Sequence, residues 1–327
     1  MLDIKENTPL KDHTTFRIGG PARYFVEIKN VEELKETVAF ARDKNLPLLI
    51  LGGGSNVLVS DEGFPGLVIH PKFMGFEIDG ETVRFGSGEL WDDVVKRCVE
   101  AGLWGIENLS FVPGDAGGFV IQNVGAYGQE ARNVIDQVHV FDTITNVELQ
   151  MSNYECKFGY RRSIFNTEER GRYVILNITI KLAKNGTPNT SYGIKADDLV
   201  GMREAIIAVR KSKGQDPQEY WSAGSFFKNV FMDSEAFQKL SSDIQAGAWD
   251  EAEGRHKIPA GFLLDKICNL KGLTVGGAKL SELQVINIIN IGNATARDVL
   301  ALFEKARDIV REQTGITLEH EPELVGF

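Results

Sequence analysis

Cysteine is scarce in this 327-residue chain. Cys98, Cys156 and Cys268 are odd in number, far apart and never in a C-x-x-C pair, so neither a disulfide framework nor a zinc site is indicated, no metal is expected, and a reducing cytoplasm is the expected setting. No apolar run reaches the ~18 residues needed to span a bilayer, and the opening MLDIKENTPL has no basic start followed by an apolar core. A soluble protein without a cleaved export signal is therefore expected. An excess of Lys and Arg is also missing: the formal charge is −10. That argues against nucleic acid or an anionic membrane as partner, since both are held mainly by basic surplus. Any anionic ligand must then meet a local cluster of cations. Internal repeats, low-complexity segments and the dinucleotide fingerprint G-x-G-x-x-G opening a helix are absent as well. What remains is a chain with 43% hydrophobic residues, long enough for two or three domains with filled cores.

The chain is organised around LLILGGGSNVLVSDEGFPGLVIH, residues 48 to 70, which reads as a strand, a tight glycine turn and a return pair of strands. Gly52, Gly53 and Gly54 carry no β-carbon, so their backbone can approach another molecule closely and present consecutive N–H groups to an anion. An ordinary tight turn has the same composition, and the residues alone leave both readings open. Upstream, a strand is expected over 22–28. A helix is expected from Val31 to about Asn45, with Asn30 and Glu33 resembling a capping box and Val31, Leu34, Val38 and Ala41 at helical spacing. Downstream, Trp91, Val94, Val95 and Cys98 mark a second helix after a short strand at 82–85. Residues 109–130, LSFVPGDAGGFVIQNVGAYGQE, read as a structured loop lining a site, because linkers rarely carry Phe, Val, Ile and Tyr together. Strands are expected at 134–143, 148–151 and 173–182, and helices at 197–213, at 260–270 closed by Gly272, and at 295–314. The last has Asn293 as candidate cap and Gly315 as stop, and a strand is expected before it at 285–289.

Several side chains could carry chemistry. Arg161 and Arg162 after Phe158-Gly159-Tyr160 are either solvated arginines at a turn or a planar fork for carboxylate or phosphate. Ser225 stands between Gly224 and Phe226-Phe227, which suggests partial burial and hence either a satisfied structural hydroxyl or a proton donor; no G-x-S-x-G elbow surrounds it. Glu319, Glu321 and Glu323 alternate as a solvated strand face would, and Tyr192 in SYG is by itself an ordinary turn tyrosine.

LGGGSNVLV, PGDAGG followed by IQNVGAYGQE, CKFGYRRSIF, AGSFFKN, NIGNATA and LEHEPEL, in this order and at these separations, resemble the UDP-N-acetylenolpyruvoylglucosamine reductase family. The resemblance runs from about Thr14 to Glu323, and SYG at Tyr192 resembles the form in which a tyrosine loop closes over the substrate. It implies an α+β protein: a two-subdomain FAD-binding fold of the vanillyl-alcohol-oxidase (PCMH) type plus a C-terminal α/β substrate domain. The implied divisions are 1–66 with 319–327, then 67–205, and 206–318 for the substrate domain. It implies non-covalent FAD, NADPH as electron donor, UDP-N-acetylglucosamine enolpyruvate as substrate, a monomer, and a cytoplasmic place in peptidoglycan precursor synthesis. Along the flavin it puts Gly52, Gly53, Gly54, Ser55, Asn56, Gly114, Gly117, Gly118, Gln122, Asn123 and Ala126. Against the substrate it puts Tyr127, Tyr192, Arg210, Lys213, Asn229 and Gln284. The implied catalytic groups are Ser225 as proton donor, with Arg161 and Glu323 flanking the substrate carboxylate.

These residue types suit the chemistry. Hydride addition to a carbon conjugated with a carboxylate places enolate charge on the carboxylate oxygens, and a fixed guanidinium stabilises that charge more in the transition state than in the ground state. Glu323 helps only with its proton retained or by orienting Arg161. A serine hydroxyl can deliver a proton to the basic enolate carbon when neighbours such as Asn229 orient it. Arg210, Lys211 and Lys213 supply the cations that the acidic total demands. The chain departs from the family pattern at Phe119-Val120, Val230, Ser281, Val325 and the KSKGQDP stretch. An FAD oxidase of the same superfamily would not need Ser225, Tyr192 and Glu323 together, and a non-catalytic flavin or nucleotide-sugar binding protein would stay inert toward NADPH.

Overall fold

A computed structural model describes residues 2–190, 192–251 and 254–327. The chain divides into two compact units. The first comprises residues 1–8, 21–54 and 64–211, and the second residues 9–20, 55–63 and 212–327.

Two sheets build the first unit. The four-stranded one runs in the order Lys5–Pro9, Pro21–Ile28, Phe64–Pro71, Leu48–Ile50. Its central strand, Phe64–Pro71, pairs in parallel on both sides, Leu67 lying opposite both Tyr24 and Leu48. A strand so placed needs apolar residues on both faces, and Leu67, Val68 and Ile69 are fully buried. The helix Val31–Asp43 covers this sheet with Leu34, Val38 and Ala41, as their spacing predicts. Its cap is half of the expected box. The Asn30 side chain accepts from Glu33 N–H at 2.9 Å, while the Glu33 carboxylate reaches one residue further back, to Lys29 N–H at 2.7 Å. The second sheet is five-stranded and antiparallel: Val147–Ser152, Ile135–Asp142, Tyr173–Lys181, Thr82–Gly86, Phe76–Asp79. On one side it packs on the helix Trp91–Glu100 through Trp91, Val94, Val95 and Cys98. On the other, Phe141, Val174 and Leu176 join Val26, Ile28 and Ile69 in one core.

The stretch 109–130 is more ordered than a loop. It holds the short helix Ala116–Ile121 and a hairpin pairing Gly125–Ala126 with Gln129–Glu130. Phe119 and Val120, both departures from the family pattern, are absorbed by packing: Phe119 stacks on Trp91 with centroids 3.7 Å apart, and Val120 is fully buried.

In the second unit a four-stranded sheet runs Trp221–Ser225, Asn287–Asn290, Ala278–Leu280, Thr274–Val275, beside a three-stranded sheet and a parallel pair of Val57–Val59 with Glu323–Val325. The helix Ala296–Thr314 turns Val299, Leu302, Phe303, Ala306 and Val310 into the core. Each large apolar side chain so buried contributes about 1.5–3 kcal/mol. Its cap is Thr295, not Asn293: the Thr295 hydroxyl accepts from Asp298 N–H and the Asp298 carboxylate returns to Thr295 N–H, a complete box. Gly315, at φ 74°, ends it as expected. The apolar run 260–270 is not one helix but a turn, Ala260–Phe262, continuing into a π-helical stretch, Leu263–Ile267. The strand expected over 285–289 lies at Asn287–Asn290, and the helix expected over 197–213 spans Leu199–Ser212, all but its last residue in the first unit.

Candidate active site

In the first unit two glycine turns meet. A β-carbon on Gly53 would lie 2.7 Å from Gly114 Cα and 2.8 Å from Asp115 N, far inside ordinary contact, so the turns touch backbone to backbone only because position 53 is glycine. The N–H groups of Gly52, Gly53 and Gly54 donate to no described residue. The first donors of the neighbouring helix are already used: Ala116 N–H goes to Glu89 O and Gly117 N–H to Ser87 O. The triple glycine keeps its own donors, and consecutive unpaired N–H groups form an anion cradle. Gly118 has nothing within 4 Å of a built β-carbon, and Gly52 only Asp115 Cβ at 3.9 Å. A flavin diphosphate fits such a surface. Asp115 precedes the helix without capping it; its carboxylate turns to Lys72 Nζ at 3.2 Å and His70 Nε2 at 3.4 Å.

Beyond this turn the backbone is strained in a cluster. Phe111, Asn123, Tyr127, Lys157 and Arg161 all take φ between 43° and 61°, a left-handed conformation that costs a bulky residue about 1 kcal/mol or more and gathers at functional sites. Asn123 is buried and binds the pieces together, donating to Gly159 O at 2.8 Å and Glu130 Oε2 at 3.3 Å and accepting from Arg132 N–H. Arg161 sits at the tip of the turn closed by Gly159 and Arg162, its guanidinium carbon 5.4 Å from the Tyr160 ring centroid. Gln122 follows the helix, and Ala126 and Tyr127 form the hairpin and its tip.

Arg210, Tyr127 and Tyr192 belong to one neighbourhood of this unit. Arg210 is buried, and its Nε donates to Phe111 O at 3.1 Å. Burial pulls its guanidinium below the ordinary value, with Tyr127 and Asp92 acting against that. Burial likewise raises the Tyr127 phenol, opposed by Arg210. Asp92 is already held by the Arg203 fork, at 2.7 and 2.8 Å, and by Phe111 N–H. Although its own burial works the other way, these bonds keep its carboxyl below the usual range. Two arginines against one aspartate leave one net positive charge beside the buried Arg210, in a setting only partly open to water, which favours an anion. Tyr192 meets Tyr127 edge-on with centroids 6.1 Å apart. Asn108, fully buried, ties this region down by donating to Tyr127 O and Asn189 O. Asp92, Arg203, Phe111 and Asn108 were not foreseen; no local pattern marks a residue whose partners lie far along the chain.

In the second unit Ser225 ends the strand Trp221–Ser225, half-buried as its aromatic neighbours suggest. Gly224 at φ 71° and a register shift after Ser222 turn it, and Asn287 is its Cα partner. Phe226 and Phe227 are fully buried and anchor it against Phe303. The next residues pair with the C-terminal segment: Glu321 N–H donates to Phe226 O and Lys228 N–H to Glu319 O, both at 2.9 Å. Glu323 then starts the strand beside Val57, its N–H on Asn56 O at 3.0 Å, so Ser225 and Glu323 lie on neighbouring backbone runs. The alternating glutamates do not share one strand face, because the strand begins only at Glu323. Asn229 Oδ1 accepts from Ala260 N–H. Gln284 N–H and Leu283 N–H both donate to Ser281 Oγ, so the serine departure is a buried turn cap. Lys213 and Ser55 complete the set in this unit. Among the described residues no group of three or more His, Cys, Asp or Glu could hold a metal, and no helix is long and apolar enough to cross a membrane.

Residues 22–147 match the family model of a FAD binding domain, and residues 216–325 that of the UDP-N-acetylenolpyruvoylglucosamine reductase C-terminal domain. The first of these and the glycine cradle together define a flavin-dependent oxidoreductase. The chain is 38% identical to the UDP-N-acetylenolpyruvoylglucosamine reductase of Streptomyces coelicolor over 98% of its own length and 90% of that protein. It is 37% identical to that of Neisseria gonorrhoeae over 98% and 97%. The crystal structure of the Thermus caldophilus reductase (MurB) superposes with a TM-score of 0.72 at 28% identity, covering 99% of both chains. The chain belongs to the UDP-N-acetylenolpyruvoylglucosamine reductase family.

Proposed function

We propose that this protein reduces UDP-N-acetylglucosamine enolpyruvate to UDP-N-acetylmuramate at the expense of NADPH, for peptidoglycan precursor synthesis in the cytoplasm, as a monomer. The observation that carries the reading is the cradle of three unpaired glycine N–H groups against the Gly114 turn, in a chain of this family. The chemistry that bound FAD would supply is two-electron hydride transfer, with NADPH as the source and C3 of the enolpyruvyl group as the acceptor.

The protein's own residues do the rest. Gly52–Gly54 and Gly114 hold the diphosphate, with Ser55, Asn56, Gly117, Gly118, Gln122, Asn123 and Ala126 along the cofactor. Arg161 meets the substrate carboxylate and takes up the enolate charge that develops there. Glu323 faces the same carboxylate. The Ser225 hydroxyl delivers its proton to C2, on the end of a strand that two buried phenylalanines keep from moving. Arg210, whose cluster carries a net positive charge, meets the UDP diphosphate with Lys213. Tyr127, Tyr192, Asn229 and Gln284 contact the remainder. The working domains in this reading are 1–66 with 319–327, 67–205, and 206–318. The test is direct: the purified yellow protein oxidises NADPH only when enolpyruvyl-UDP-N-acetylglucosamine is supplied. NADPH consumption driven by oxygen alone, or none with the substrate present, would refute it.

A further inference from the structure

The flavin cradle contains a charge of the wrong sign. Asp115 is 4% exposed and its backbone abuts Gly53, so a carboxylate is buried within the turn that faces the unpaired N–H groups. The Asp115 β-carbon lies 3.9 Å from a β-carbon built on Gly52, and in a region shielded from water a carboxylate on that side chain repels a second negative group held at the cradle. The carboxylate is not left bare. Lys72 Nζ lies 3.2 Å from Asp115 Oδ2, and His70 Nε2 lies 3.4 Å from the same oxygen, with His70 Nδ1 3.5 Å from Glu27 Oε1. Lys72 follows directly on the buried strand Phe64–Pro71, which fixes where its stem starts. Its side chain keeps 28% exposure while that of Asp115 keeps 3%, so the lysine is the half of the pair that meets solvent and the aspartate the half that depends on it.

Resting on the flavin reading above, we propose that Lys72 is a positioning residue for FAD. It neutralises Asp115, so that the glycine cradle accepts a diphosphate that the aspartate alone would repel. The lysine acts through the aspartate, and its value should vanish when the aspartate is made neutral. Glu27 and His70 stay in place in every variant, so the comparison isolates the Lys72–Asp115 pair.

The experiment is a FAD titration of the apoprotein in four forms: wild type, Lys72→Met, Asp115→Asn and the double variant. Riboflavin, which lacks the diphosphate, serves as the comparison ligand. Lys72→Met is expected to weaken FAD by about tenfold or more, because the buried carboxylate then loses its lysine and keeps only the longer contact to His70. Asp115→Asn and the double variant are expected to bind FAD within about threefold of wild type, and riboflavin is expected to shift less than about threefold in all four, since an uncharged ring system does not sense the carboxylate. If Lys72→Met does not fold, the comparison of Asp115→Asn with the double variant still decides, since neither buries a lone charge. A double variant as weak as Lys72→Met, or tenfold weaker than Asp115→Asn, overturns the proposal. So does an unchanged Lys72→Met, or an equal loss of riboflavin. Failure of the wild type to bind FAD would instead overturn the flavin reading itself.

Discussion

The contact between the two glycine turns can be tested by adding single methyl groups. In Gly53→Ala the new carbon would stand 2.7 Å from Gly114 Cα, 2.8 Å from Asp115 N and 3.0 Å from Gly114 C. Non-bonded carbons settle at about 3.5–4.0 Å, so the turns must part by roughly 1 Å. All three atoms are backbone and cannot rotate away. Overpacking of this kind costs about 1–3 kcal/mol, which lowers the Tm of the apoprotein by about 2–10 °C and, where the cradle must re-form on binding, raises the FAD Kd about tenfold to a hundredfold. Gly52→Ala and Gly118→Ala are the contrast. Neither glycine has a positive φ, and their β-carbons would meet only Asp115 Cβ at 3.9 Å and nothing within 4 Å, respectively. Neither apoprotein should melt below the wild type, and Gly118→Ala should melt a few degrees above it, because it removes a glycine from a helix; both should lose FAD affinity if the proposed site is right and the cofactor fills the free space at 52 and 118. Thermal melts of the three apoproteins with FAD titrations separate the two effects. A Gly53→Ala apoprotein that melts with the wild type would refute the packing argument. Wild-type FAD affinity in Gly52→Ala and Gly118→Ala would refute the location of the site.

Other outcomes follow from packing and charge. The Arg172 fork holds buried Asp142 well below the usual carboxylate range, against its burial and with help from Ile144 and Thr145. A depressed carboxyl contributes stability that is present above its unfolded value of about 3.9 and lost as pH falls through the folded value. Arg172→Met should therefore lower the melting temperature most at neutral pH, with the gap to wild type narrowing towards pH 3; a gap independent of pH would contradict this. Burial pushes the Cys98 and Cys156 thiols up to about 12 and raises Cys268 too, so a disulfide reagent at pH 8 should label none in the native protein and all three in denaturant. Thr295→Ala should cost about 1 kcal/mol in urea unfolding and Asn293→Ala close to nothing; the reverse order would restore Asn293 as the cap.

What could be read from the chain depended on how local the cause was. The helices at Val31 and Ala296 were legible because apolar spacing and a stop residue lie within a few turns of each other. The helix Ala116–Ile121 was not, since two glycines in AGGFVI each cost about 1 kcal/mol of helix propensity. It forms because Glu89 and Ser87 carbonyls, some thirty residues away, accept its first N–H groups. The cap two residues late at Thr295 is a local competition, won by the residue whose partner Asp298 closes the box. At the site, the triple glycine and the serine flanked by aromatics were visible as types. The supports were not: Asp115 finds Lys72 and His70 across more than forty residues, and Asp92 finds Arg203 across 111. Such pairs are created by the tertiary fold and have no signature in spacing.

The central claim is that Ser225 serves the step in which substrate is reduced and no other. Stopped-flow absorbance of the flavin in Ser225→Ala, followed separately for reduction by NADPH and for reoxidation by enolpyruvyl-UDP-N-acetylglucosamine, measures it. The account predicts flavin reduction at nearly the wild-type rate and reoxidation slowed by about a hundredfold or more, the range for loss of a positioned general acid. Equal slowing of both half-reactions, or reoxidation at the wild-type rate, would contradict it.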